Sequence, residues 1–140
     1  MATFVFSRST PDPGARSLQT LFLHRDAQCT LFKGIGHAGL TRLGAKQKSA
    51  WAPGGQPVFV SVTTSEWTHG GESPNRDVIV LATRHDCRTF HGFVPEQGHR
   101  YSVGHRLSDN RCALEIVDIA TGLPPPDLAE HDPAPCRGAP

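Results

Sequence analysis

Charge is scarce in this chain. Asp, Glu, Lys and Arg supply 19% of its 140 residues, below the usual quarter, so Ser, Thr, Gln, His and backbone groups must carry much of the surface. The charge that exists nearly cancels, 14 Lys and Arg against 13 Asp and Glu for a formal +1. A protein that grips a nucleic-acid backbone normally shows a basic excess or stripe, and nucleic acid is therefore not an expected partner. No apolar run approaches the length that crosses a bilayer, which excludes a transmembrane segment. Cys-x-x-Cys is absent: Cys29, Cys87, Cys112 and Cys136 lie far apart, against a zinc knuckle or a thioredoxin-type motif. Helical periodicity is also thin. The best window, Ala15 to Leu23, runs straight into β-prone residues, and 12 prolines with 14 glycines interrupt the rest.

Strand patterns fill the space that helices leave. Thr20 to Arg25 and Cys29 to Lys33 read as strands, and Gly34-Ile-Gly-His-Ala-Gly as a turn into Leu40 to Leu43. Lys46 to Trp51 leads to a turn at Pro53-Gly54-Gly55. Val58 to Thr63 is the clearest strand, with Val58, Val60 and Val62 on one face. Thr68 to Arg76 reads as a polar loop, Val78 to Thr83 as a doubly buried strand, and Thr89 to Val94 as another. After a Pro95 to Gly98 turn, Arg100 to Leu107 and Cys112 to Ile119 form a hairpin around Ser108-Asp109-Asn110. The second of these puts Cys112, Leu114, Ile116 and Asp118 on one face. Seven to nine short strands at this spacing predict an all-β, antiparallel β-sandwich, Ig-like or transthyretin-like. The expected layout is an N-terminal strand or extended segment over 1–18, the sandwich over 19–122, and a Pro-rich tail without regular structure over 123–140.

The residues that could carry chemistry are eight histidines, several of them close to Cys87. His85, Cys87, His91, His99 and His105 are ligand types that zinc or copper takes, and alternation on strands permits a cross-strand site, although no compact metal spacing occurs. A hydrolytic triad lacks its nucleophile elbow, since there is no Gly-x-Ser-x-Gly. His85 and Cys87 flank Asp86, but strand neighbours face opposite ways, so a cysteine nucleophile is not supported. The carboxylates Glu66, Glu72, Glu96, Glu115 and Asp118 are scattered rather than paired. Gly34-x-Gly36-x-x-Gly39 has dinucleotide-type spacing without the helix that such a motif requires. No catalytic residue is expected. Trp67, followed by His69 in a long Gly-rich stretch, is the expected binding position, because loops at a sandwich end are where recognition is commonly placed.

Cys87, then Phe93-Val94-Pro95-Glu96-x-Gly98-x-x-Tyr101, then Cys112 to Asp118 and Thr121-Gly122-x-Pro124, resembles small exported bacterial lipoproteins and periplasmic β-sandwich domains of unassigned function. The resemblance implies a β-sandwich fold and an envelope compartment, with no catalytic residues to carry over; the expected function is a non-enzymatic cell-envelope module that binds a protein or glycan, with no cofactor. The alternative is a small zinc- or copper-binding periplasmic protein built on the His85 to His105 region. A periplasmic or outer-membrane location requires that an export signal precede Met1 and be removed; a cytoplasmic one does not. A Cys87–Cys112 disulfide is expected, with Cys29 and Cys136 left open. Phe93 and Tyr101 should meet across a hairpin, and the Tyr101 hydroxyl should pin neighbouring backbone.

Overall fold

A computed structural model describes residues 1–7, 16–28, 34–41, 47–68, 83–108 and 111–133, the backbone alone at 16–17, 34–41, 67–68, 83–85 and 107–108. These residues form nine strands and no helix: β1 (Ala2–Ser7), β2 (Arg16–His24), β3 (Gly34–Thr41), β4 (Gln47–Ala52), β5 (Val58–Thr68), β6 (Thr83–Phe93), β7 (Arg100–Ser108), β8 (Arg111–Asp118) and β9 (Ala129–Glu130). They build two sheets, β4-β1-β7-β8 and β3-β2-β5-β6-β9. The sandwich is as expected. Its one parallel pairing is β1 with β7, from Thr3↔Arg100 to Phe6↔Val103, which makes the four-stranded sheet mixed.

Alternation places the core. Phe4 and Phe6 of β1, Leu21 and Leu23 of β2, Val58, Val60 and Val62 of β5, Tyr101 and Val103 of β7 and Ile116 of β8 are all buried between the sheets. Each such side chain contributes on the order of 1.5–3 kcal/mol of transfer free energy, enough together to fix which face of every strand turns inward. A slip of one residue would reverse that face. Phe4, Phe93 and Tyr101 close one end of the core, with ring centroids 5.9, 5.6 and 5.1 Å apart pair by pair. Phe93 and Tyr101 do meet, but they belong to facing sheets, so residues 94–99 cross the sandwich instead of closing a hairpin. The Tyr101 hydroxyl accepts a hydrogen bond from the Glu96 amide at 2.9 Å, pinning that crossing as the sequence predicted.

Several local expectations give way to the pairing. Gly34 to Gly39 is not a turn: it lies in β3 and pairs with β2 from Leu18↔Thr41 to His24↔Gly34, with one irregularity at Leu23/His24. A nine-residue neighbour supplies enough ladder to outweigh the poor strand propensity of glycine. β5 runs on to Thr68 and β6 starts as early as Thr83, paired in register from Val58↔Phe93 to Thr68↔Thr83. The stretches Cys29 to Lys33 and Val78 to Leu81 lie outside the described residues.

The tail also acquires structure. Ala129 and Glu130 pair with Gly92 and His91, and the His131 amide donates to the Phe90 carbonyl at 2.8 Å. The His131 ring sits 5.2 Å from Phe59 and 6.0 Å from Phe90. Gly92 makes room for this, since a Cβ there would lie 2.7 Å from the Phe59 ring. Three prolines end regular structure locally, yet they do not prevent a two-residue pairing farther along.

Cys87 of β6 and Cys112 of β8 form a disulfide, with Cα atoms 5.9 Å apart. It joins one strand of each sheet on the same side of the sandwich. The expected bridge is therefore present, and it is a tie between layers.

Candidate functional site

Three polar side chains converge where the strands end. Asp118 closes β8, His99 immediately precedes β7, and Glu96 opens the turn between β6 and β7. Gly98, at φ 79°, supplies the left-handed residue that this turn needs, and the His99 amide donates to the Glu96 carbonyl at 3.1 Å. The turn is held from three further sides. Thr3 donates to the His99 carbonyl at 2.9 Å, and Gly55 to the Pro95 carbonyl at 2.7 Å. The amide of Gly54 donates to Gln97 Oε1 at 3.0 Å.

Asp118 is fixed in the same way. Its carbonyl accepts from the Gly122 amide at 2.8 Å, where Gly122 takes φ 72°, and its Oδ1 accepts from the Ala120 amide at 3.0 Å. The remaining oxygen, Oδ2, accepts from His99 Nδ1 at 2.7 Å. Glu96 Oε2 lies 3.0 Å from the same nitrogen. One ligand atom from each of the three residues falls within 4.8 Å of the others. The hydrogen bond to Asp118 raises the His99 pKa, with help from the charges of Glu96 and Asp118. Reciprocally, the bond from His99 lowers that of Asp118. The arrangement is a protonatable latch between two turns, and its donor set is one that a divalent cation such as zinc also takes. A cation would have to displace the proton that Asp118 holds on His99.

The interior holds a second polar group. Gln19, Thr64 and His105 are buried at the end of the core away from the latch. Gln19 Nε2 donates to Thr64 Oγ1 at 2.9 Å and to the His105 carbonyl at 3.0 Å. Thr64, having accepted from Gln19, is left with its own proton for His105 Nδ1 at 2.5 Å. His105 Nε2 has no protein partner among the described residues, nor do His91 Nδ1 and Thr89 Oγ1. Burial, with a contribution from His91, pushes the His105 pKa down to about 4. Burial likewise lowers those of His91 and His24. These imidazoles are held neutral.

The sequence-derived metal set is thus dispersed. Cys87 is in the disulfide and has no thiolate to offer. His91 and His105 face the interior, while His99 lies at the strand ends with Glu96 and Asp118. His85 is placed only by its backbone, opposite Glu66. Trp67 is paired with Arg16 and Arg84 through its backbone, its side chain lies outside the described residues, and so does all of His69. In the sequence Glu96 and Asp118 stand among scattered carboxylates. They are 22 residues apart, and the signals available were the two glycines, Gly98 and Gly122, that turn the chain beside each of them.

The same end carries most of the exposed apolar surface. Of six exposed large hydrophobic side chains among the described residues, five lie there: Met1, Trp51, Val94, Ile119 and Leu123. The Leu123 carbonyl accepts from the Asp118 amide, and the Ile119 amide donates to the Arg100 carbonyl, both at 2.9 Å, which holds Ile119 and Leu123 next to the latch. Compared with family models, curated proteins and solved structures, the chain matches none of them.

Proposed function

We propose that this protein is a non-catalytic β-sandwich module that binds a protein or glycan partner of the cell envelope. The clustering of Met1, Trp51, Val94, Ile119 and Leu123 at one rigidly held end carries this reading. Exposed apolar side chains are ordinary when scattered over a surface, whereas their concentration at one end of a fold is a feature of interaction sites. The Cys87–Cys112 disulfide supports an oxidising compartment.

Replacing Ile119 and Leu123 together by Asp should weaken binding to envelope fractions at least about tenfold, as loss of central anchors does, with unchanged urea unfolding. Periodate-treated and protease-treated fractions, compared by surface plasmon resonance, separate a glycan from a protein. Unaltered binding by the double variant, or turnover of ester or peptide substrates by the wild type, would overturn the reading.

The convergence of Glu96, His99 and Asp118 favours a second reading, a divalent-cation site. Calorimetric titration with zinc should then give an affinity that rises from pH 6 to pH 8, because the cation competes with the His99 proton. His99→Gln should abolish it. Absence of heat at both pH values would leave the triad as a latch alone.

A further inference from the structure

The outer face of the four-stranded sheet has an uneven charge. Strand alternation turns Arg100, Ser102, Gly104 and Arg106 of β7 outward, opposite the buried Tyr101, Val103 and His105. On β8 it turns Arg111, Ala113, Glu115 and Val117 outward. The charged residues of this face are therefore three arginines and one glutamate, all exposed, in a chain whose net charge is only +1. Arg106 pairs with Ala113 and Arg111 with Ser108, so Arg106 and Arg111 are diagonal neighbours of like charge, an arrangement that disfavours the sheet slightly. No ion pair joins any of the three to a carboxylate among the described residues. Arg88 on the opposite sheet, in contrast, donates to Thr63 at 3.0 Å.

Between Arg100 and Arg106 the surface is low and hydroxyl-bearing. A Cβ built on Gly104 meets nothing within 4 Å; along the neighbouring strand Thr3 pairs with Arg100 and the buried Val5 with Ser102. Arg100 and Arg106 are separated by roughly 20 Å along the strand, a length suited to an extended ligand more than to a single anion. Trp51 stands at the far edge of the row Trp51, Thr3, Arg100 and is 54% exposed, although large aromatics are usually well buried. An exposed indole beside hydroxyl donors and spaced cations offers the contacts a charged sugar chain uses: stacking on its apolar ring faces, hydrogen bonds to its hydroxyls and pairing with its acid groups.

We propose that the outer face of the β4-β1-β7-β8 sheet binds an acidic glycan, with Trp51 stacking on a sugar ring and Arg100, Arg106 and Arg111 pairing with its carboxylate or sulfate groups. This rests on the binding-module reading and names its ligand class. Charge complementarity selects a polyanion; the near-balanced net charge of +1 disfavours a nucleic acid, and an exposed indole beside hydroxyl groups suits a sugar chain.

The test titrates the full chain with a galacturonic-acid hexasaccharide and a heparin hexasaccharide, following tryptophan fluorescence and calorimetry. Maltohexaose and decathymidylate serve as neutral and nucleic-acid comparisons. Binding of one or both acidic sugars is expected, weakening with added salt. It should fall at least about tenfold in Arg100→Gln/Arg106→Gln and in Trp51→Ala, but hold in Arg25→Gln, which removes one exposed charge beyond the end of β2. Which acidic sugar binds distinguishes carboxylate from sulfate. Equal binding of maltohexaose, tighter binding of decathymidylate, or unchanged affinity in both variants would overturn the proposal. If the acidic sugars fail while Ile119→Asp/Leu123→Asp still loses an envelope partner, the glycan face is wrong and the binding-module reading stands.

Discussion

Removing the Cys87–Cys112 bridge, by reduction or by replacing both residues with Ser, is expected to destabilise the protein by about 3–4 kcal/mol. The bridge closes a loop of sequence separation 25, and on the chain-entropy account this restriction of the unfolded chain is worth about that much. Its position argues for the full effect. It ties β6 to β8, members of different sheets with no shared hydrogen-bond ladder, so side-chain packing alone would hold that side of the sandwich without it. Against a total stability of about 5–15 kcal/mol, the loss is a large share, and Tm should fall by roughly 10 °C. Urea unfolding of the wild type with and without reductant, beside the double Ser variant, measures it. Alkylation and intact mass establish the thiol state beforehand. A loss below about 1 kcal/mol would mean that the unfolded chain is already compact across that loop.

The sandwich was legible because its signal is local. Val58, Val60 and Val62, or Cys112, Leu114, Ile116 and Asp118, alternate within a single strand, and a period of two needs no knowledge of partners. What was not legible was decided by partners. β1 takes a central place between β4 and β7, yet Thr3-Phe4-Val5-Phe6 is a short apolar stretch that by itself says only that it is buried. β3 becomes a strand because β2 lies beside it, against the preference of its three glycines. Phe93 and Tyr101 were rightly joined across eight residues, but sequence spacing could not tell a hairpin from a crossing between sheets.

The candidate site divides in the same way. The Tyr101 hydroxyl bond to Glu96 spans five residues and was anticipated. His99 with Asp118 spans 19, and the pairing depends on Asp118 ending β8 where His99 leads into β7, a register that only the folded sheet sets: Tyr101 opposite Asp118. The histidines that group along the chain do not group in space. Along the chain His85 to His105 look like one cluster. In space His99 goes to an open end while His91 and His105 are drawn inward on facing sheets, because inward positions recur at every second residue whatever the side chain.

Lowering the pH from 7.5 to 4 is expected to destabilise the fold by about 3 kcal/mol through His105 alone. Its pKa is about 4 in the folded protein against 6.5 for an exposed imidazole, and each unit of difference is worth about 1.4 kcal/mol. Between those values the unfolded chain binds a proton that the folded chain refuses, so stability declines as pH falls through 6.5 and its share from His105 is gone below 4. The groups facing His105 offer no relief. Thr64 and Gln19 are neutral, and His91 in the opposite sheet would repel the new charge. His91 and His24, also lowered by burial, act in the same direction. His99 acts oppositely. Its raised pKa gives a contribution that is complete below pH 6.5 and is lost as pH rises through the folded value, so the latch tightens while the interior comes under strain. His99 is one-third exposed, so water screens its pair with Asp118, and the fully buried imidazole should dominate. Urea unfolding at stepped pH, for the wild type and His105→Leu, tests this. The variant should lose about 1–3 kcal/mol at pH 7.5, because the Thr64 hydroxyl is left without its acceptor, yet show a flatter decline towards pH 4. A variant slope equal to that of the wild type would place the acid sensitivity elsewhere, first in His91, whose own bare nitrogen lies in the same interior.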